Sequence, residues 1–163
     1  MRLNHDTYFM VMAKVASLRS VCRSRQVGAI LVDINNYLLA SGYNGPPKGI
    51  PECDPCKRVD IESGTGLDRC IATHSEANAL LQCPDIQRIH SLYVTISPCF
   101  GCIKLLLNTP CQRIVFVNSY PNPESEIIWK DAGREWIQLR FPTKARSILE
   151  NLTKLADYMH VSS

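Results

Sequence analysis

A chain of 163 residues, 45% hydrophobic and 20% charged, is long enough for one compact domain with a real core and too apolar for disorder. Its formal charge of +3 falls short of the concentrated Lys/Arg face that phosphate-backbone binding demands, which favours a small anionic ligand and argues against a nucleic-acid partner. No run reaches the roughly 18 to 20 apolar residues of a membrane span, and the first ten residues have no apolar core behind a basic start, so one domain over 1–163, off the membrane and in the cytoplasm, is expected.

Phe9, Met12, Val15, Ala16 and Leu18 recur at helical spacing between Asp6 and about Cys22, with Asn4 or Asp6 able to cap the start. Val27–Val32 is a short branched apolar run, the pair Asn35-Asn36 is a turn, and Tyr37–Ala40 follows; together they predict a hairpin buried on both faces. Gly42–Gly49, rich in glycine and proline, breaks the ladder and predicts a shaped loop. Residues 50–73 have no clear period, and a stretch that long needs something to pin it.

His74–Leu81 reads as a helix ended by Pro84, Ser91–Ile96 as a strand, and Pro98 to about Leu107 as a second helix opened by its proline. Arg113–Val117 is a further strand, Ser125–Ala132 a helix closed by Gly133, and Trp136–Leu139 a weak strand. Thr143–Met159 reads as a long terminal helix with an apolar side, making about 140–163 a helical extension. The alternation predicts an α/β fold of about five strands in a mixed sheet, with helices on both faces.

His74-Ser-Glu76 followed by Pro98-Cys99-Phe-Gly-Cys102 matches the signature of zinc deaminases of nucleobases. Cys99 and Cys102, three apart, share a helical face, while His74 supplies a nitrogen from the other helix. Both sets fall at helix N-termini, whose partial positive charge lowers the cost of thiolates. Three protein ligands leave zinc one open position, for a water whose pKa drops to about 7. Glu76 is placed to take that water's proton, pass it to a ring nitrogen and help the amine leave as ammonia. The competing reading is a closed structural zinc with Glu76 or another residue as fourth ligand.

Without a secretory signal, eight cysteines point to metal rather than disulfides. Cys53 and Cys56 have knuckle spacing, Cys70 precedes the catalytic helix and Cys22 closes the first; four such thiols can form a second, structural zinc that pins residues 50–73. The alternative leaves Cys22 a small buried residue and the loop zinc absent or otherwise ligated. Cys83 and Cys111 are expected in or near the core.

The segments Cys22-Arg-Ser24-Arg25-Gln-Val-Gly-Ala29, Gly42-Tyr43-Asn44-Gly45-Pro-Pro-Lys48-Gly49, His74-x-Glu76-x-Asn78-Ala79 and Thr95-x-Ser97-Pro-Cys99-x-x-Cys102 resemble the deoxycytidylate deaminase family of bacteria and their viruses, over roughly residues 5–135. The Gly-Tyr-Asn-Gly loop discriminates, because zinc deaminases of transfer RNA adenosine generally lack it. The resemblance implies the cytidine-deaminase-like three-layer α/β/α sandwich, zinc-dependent conversion of dCMP to dUMP for thymidylate synthesis, and activation by dCTP with inhibition by dTTP. It further implies a homo-oligomer, with a hexamer favoured, in a bacterial or virus-infected cell. Ser24, Arg25, Asn44 and Tyr120 would contact sugar or phosphate, and the Ser97 carbonyl would accept from the substrate's amino group. Gly42, Tyr43, Asn44, Gly45, Lys48 and Gly49 would lie at or near a nucleotide effector, whose company of Mg stays open, as does use of dCTP as substrate. Ser75 stands where Ala or Val is usual, and Asn108-Thr-Pro-Cys111 replaces the usual turn. A deaminase of another base or of RNA, and a non-catalytic zinc or nucleotide-binding module, remain the alternatives.

Overall fold

The computed structural model describes residues 2–58, 60–62 and 65–140, and beyond them 147, 150, 151 and 154. Most of the expected helix at 143–159 lies outside the described residues. The first helix, α1 (His5–Ser17), begins where Asn4 Oδ1 accepts the Thr7 N–H at 2.8 Å, and it stops five residues before the expected Cys22. There the Ser17 hydroxyl turns back to donate to the Lys14 carbonyl at 2.7 Å, a local bond that competes with helix propagation.

Strand β1 (Gly28–Val32) is buried at every position, and β2 (Leu38–Tyr43) returns beside it. The connecting turn is held by Asp33, whose Oδ1 accepts from Asn35 N and Tyr37 N at 2.9 Å each while Arg88 donates to Oδ2 at 2.6 Å. The expectation of a hairpin buried on both faces is corrected. Strand β2 is an edge strand that, among the described residues, pairs only with β1, with Leu38 half exposed and Ser41 open to solvent, while Ala40 and Gly42 are buried. Nor does the shaped loop begin at Gly42, since Gly42 and Tyr43 complete β2.

The remaining elements alternate: α2 (Ser75–Gln82), β3 (Ser91–Ile96), α3 (Phe100–Leu107), β4 (Arg113–Asn118), α4 (Pro123–Asp131) and β5 (Glu135–Gln138). Strand order is β2-β1-β3-β4-β5, with β1 antiparallel to both neighbours and β3, β4 and β5 parallel. Alternate residues of β1 feed two cores. Ile30 and Val32 join Tyr93 and Val115 under Phe9, Met10 and Ala13 of α1, whereas Ala29 and Leu31 join Leu92, Ile114 and Phe116 under Ala79, Ile103, Leu106 and Trp129 of α2, α3 and α4. The result is the expected three-layer α/β/α sandwich on a five-stranded mixed sheet. Among the described residues, no helix is long and apolar enough to cross a membrane.

Candidate active site

The parallel strands β3 and β4 end side by side, and the functional residues gather at that end, where the open crevice of an α/β sheet lies. Two connections aim the first ligand. Gly45 and Thr73 exchange backbone hydrogen bonds of 3.2 and 2.8 Å, which bring the end of the long loop back beside β2 just before α2. Asn78 then ties α2 to β2 by donating to the Tyr43 carbonyl at 2.7 Å. His74 and Cys99 each occupy the position that precedes the first turn of a helix, α2 and α3 respectively, in extended conformation and with no side-chain cap bond. The helices thus begin at Ser75 and Phe100, one and two residues later than expected.

His74 Nδ1 lies 3.3 Å from Cys99 Sγ and 3.5 Å from Cys102 Sγ. A tetrahedral ion with zinc–sulfur bonds of about 2.3 Å and a zinc–nitrogen bond of about 2.0 Å requires a nitrogen–sulfur separation of about 3.5 Å. The three donors therefore fit zinc, and among the described residues they are the only group of three or more potential ligands gathered so closely. The two sulfurs and the imidazole share protons. Cys99 is held well below the usual thiol range by the Cys102 S–H and the His74 ring, Cys102 is pushed up as the donor to Cys99 and by burial, and His74 is raised by its bond to Cys99. A thiol lowered beside an imidazole is a donor set primed to exchange protons for a cation.

Glu76 is 4% exposed, and burial raises its carboxyl above the ordinary glutamate value. Its Oε2 accepts from the Ser75 hydroxyl at 2.9 Å, which leaves Oε1 for other partners. A buried carboxyl with a raised pKa beside a metal site is suited to taking up and returning a proton.

One cavity of about 390 Å³ joins His74, Glu76 and Cys99 to Ser24, Arg25, Asn44, Ser97 and Tyr120, all five of the residues expected to contact a substrate. Asn44 is mostly spent on structure: Oδ1 accepts from Ser20 Oγ and Val27 N, and Nδ2 donates to the Arg25 carbonyl, all at 2.8 Å. It braces the segment that carries Ser24 and Arg25. Ser97 Oγ accepts the Tyr120 N–H at 2.7 Å, locking the end of β3 to the loop after β4. The Tyr120 phenol is raised by burial and by Cys99, against the pull of Arg58 and Arg25, and the Arg25 guanidinium lies 5.9 Å from its ring centre.

The six expected effector residues part company. Gly42 and Gly45 are buried, Tyr43 ends β2 and Asn44 faces the cavity, so only Lys48 and Gly49 stand out in solvent. A Cβ at Gly42 would come within 2.2 Å of the Ser75 carbonyl, which makes this glycine the seat of α2. Of the four cysteines expected to share a second zinc, Cys22, Cys56 and Cys70 line the same cavity, but no three of Cys22, Cys53, Cys56 and Cys70 gather as close as the first trio. Ser75, noted in the sequence as a departure from the usual Ala or Val, meets Glu76 directly, a contact the sequence did not suggest. Arg58, which lines the cavity, escaped the sequence reading; a cation two places after Cys56, in a loop expected to be pinned near metal, was the available signal.

The profile "Cytidine and deoxycytidylate deaminase zinc-binding region" matches residues 3–118. The deoxycytidylate deaminase of Mycobacterium phage D29 is 38% identical over 123 residues, 71% of this chain and 95% of the phage protein. The deoxycytidylate deaminase of Schizosaccharomyces pombe is 37% identical over 126 residues, 73% of this chain but 38% of that longer protein. Among solved structures, the dCMP deaminase of cyanophage S-TIM5 in complex with dCMP and dUMP superposes with a TM-score of 0.71 at 26% identity, covering 85% of this chain and 99% of the other.

Proposed function

Since the chain belongs to the cytidine and deoxycytidylate deaminase zinc-binding family, we propose that it is a zinc-dependent hydrolase converting dCMP to dUMP and ammonia. The observation that carries this reading is that one cavity takes in His74, Cys99 and Glu76 together with Ser24, Arg25 and Tyr120, so metal-binding and acid–base groups share a space with a guanidinium and hydroxyls able to hold a sugar phosphate. Zinc held by the three donors would supply a Lewis acid that makes water a nucleophile at neutral pH.

The chain's own residues do the rest. Glu76 Oε1 accepts a proton from the attacking water and delivers it to the ring nitrogen beside the amino carbon; a second proton transfer to the amino nitrogen lets ammonia depart, and the carboxylate is restored. The Ser75 hydroxyl on Oε2 keeps the working oxygen aimed. The carbonyl of Ser97 orients the substrate's amino group. Ser24, Arg25 and Tyr120 hold sugar and phosphate, with Asn44 as their brace.

The same reading includes use of dCTP as a second substrate, activation by dCTP and inhibition by dTTP at a site reached through Lys48 and Gly49, with Mg accompanying the triphosphate. It includes a supply of dUMP for thymidylate synthesis, a hexamer in the cytoplasm, and a structural zinc drawn together by Cys22, Cys53, Cys56 and Cys70, three of which share a cavity wall. Ammonia release across cytosine nucleosides, monophosphates and triphosphates, with and without dCTP and dTTP, tests the activity. Turnover confined to the free nucleoside would overturn it. Zinc content of two per chain, falling to one in Cys53→Ser, is expected; one per chain in both would remove the structural ion.

A further inference from the structure

Arg58 is half-buried on the long loop, with its side chain on the cavity wall. Its Nη2 donates to the Thr65 carbonyl at 2.7 Å and reaches the Glu62 carbonyl at 3.5 Å, both neutral acceptors. Its Nε is sealed from solvent and has no hydrogen-bond partner. The cost of that sealed N–H falls on the protein alone; Nη1, which makes no hydrogen bond within the described residues, is what remains for a ligand in the cavity.

No carboxylate among the described residues pairs with Arg58 or with Arg25, whereas Arg23 is neutralised by Asp54 at 3.0 Å, Arg88 by Asp33 at 2.6 Å and Arg113 by Asp6 at 3.3 Å. The two unneutralised guanidiniums both lie near Tyr120 in one cavity. We propose that Arg58 acts with Arg25 as the phosphate-reading pair of this cavity, two fixed positive charges that select a nucleoside monophosphate over the free nucleoside.

This rests on the deaminase reading above and sharpens its substrate class. A phosphate monoester carries about −1.5 to −2 charge near neutral pH, which two guanidiniums match, and the planar fork of arginine presents paired donors to it. Beyond Arg58 lies a second hollow, lined by Arg23, Ser24, Asp54, Pro55, Cys56 and Arg58. Its additional charges are the Arg23–Asp54 pair, which cancel, so a longer phosphate chain extending that way gains no unpaired cation. Because Arg58 sits on the loop and Arg25 on the segment braced by Asn44, the phosphate also bridges loop and scaffold.

The test compares Arg58→Gln and Arg58→Lys with the wild-type zinc enzyme, on dCMP, dCTP and deoxycytidine, together with calorimetric titration of dUMP and deoxyuridine. Arg58→Gln is expected to lower kcat/KM for dCMP roughly 10- to 100-fold, mainly through KM, to weaken dUMP by a similar factor, and to leave both nucleosides unchanged. Arg58→Lys recovers part of the loss. Equal losses for nucleotides and nucleosides would make Arg58 a loop strut and overturn the proposal, as would unchanged dUMP affinity. A wild-type protein inert toward dCMP would sink the deaminase reading instead, and the dUMP titration would still decide Arg58.

Discussion

Replacing Gly42 by alanine adds one methyl group at the point where α2 rests on β2. The added carbon would stand 2.2 Å from the Ser75 carbonyl oxygen, 2.5 Å from Ala79 N and 3.0 Å from Ala79 Cα, all backbone atoms that cannot rotate away. An ordinary contact lies at about 3.4 Å, so α2 must retreat by roughly 1 Å. Overpacking of this kind costs about 1–3 kcal/mol, which for a chain of this size lowers the melting temperature by about 2–4 °C per kcal/mol. The helix that retreats carries Glu76 and follows directly from His74, so the donors part and the proton acceptor leaves its station. A 1 Å misplacement costs on the order of 100-fold in rate. Differential scanning calorimetry, zinc content and dCMP turnover should therefore fall together in Gly42→Ala. A variant with unchanged melting, full zinc and full turnover, altered only in its response to dCTP or dTTP, would refute the packing argument and restore Gly42 to an effector site.

Three further outcomes follow from other contacts. Glu76→Gln should keep its zinc and lose roughly 100- to 10,000-fold in turnover, as metal analysis and ammonia assay would show; normal turnover would remove Glu76 from proton transfer. Cys102→Ser should lower zinc content and turnover together, and retention of full zinc would mean the ion is held elsewhere. The carboxyl of Asp33 is held below its ordinary value of 3.8 chiefly by the Tyr37 N–H, so its contribution to stability is present above that value and is lost as pH falls through the lower folded one. Asp33→Asn should thus melt earlier than wild type at neutral pH, with the gap closing in acid; a gap independent of pH would place the effect in shape rather than charge.

How far the residues announced this structure depends on the range of the interaction concerned. Strand β1 was legible because a central strand is apolar on both faces, and Val27–Val32 is just such a run. Strand β2 was misjudged because Tyr37–Ala40 looks equally apolar, while its burial depends on whether a second strand pairs beyond it, and none among the described residues does. His74, Glu76, Cys99 and Cys102 stood out because metal chemistry restricts residue type and spacing together. Gly42 looked like a loop glycine because its reason is a backbone 33 residues away, and only the folded chain reveals that approach. Arg58 was silent for a similar cause: a lone arginine in an aperiodic loop reads as solvated until its partners are known.

The placement of His74 and Cys99 has a price for the helices they introduce. Each stands where a serine, threonine, asparagine or aspartate would normally receive the free amides of the first turn, and neither makes such a bond. Two helices have surrendered their own end-caps so that a ring nitrogen and a thiolate can face one another at 3.3 Å. An ion gripped by the three donors would secure both first turns from outside and give the two ends one shared fastening, beside the Asn78 bond that already ties α2 to β2. Loss of that ion would loosen both, coupling order at the start of α2 to order at the start of α3, although 24 residues of helix, turn and strand lie between His74 and Cys99 in the chain.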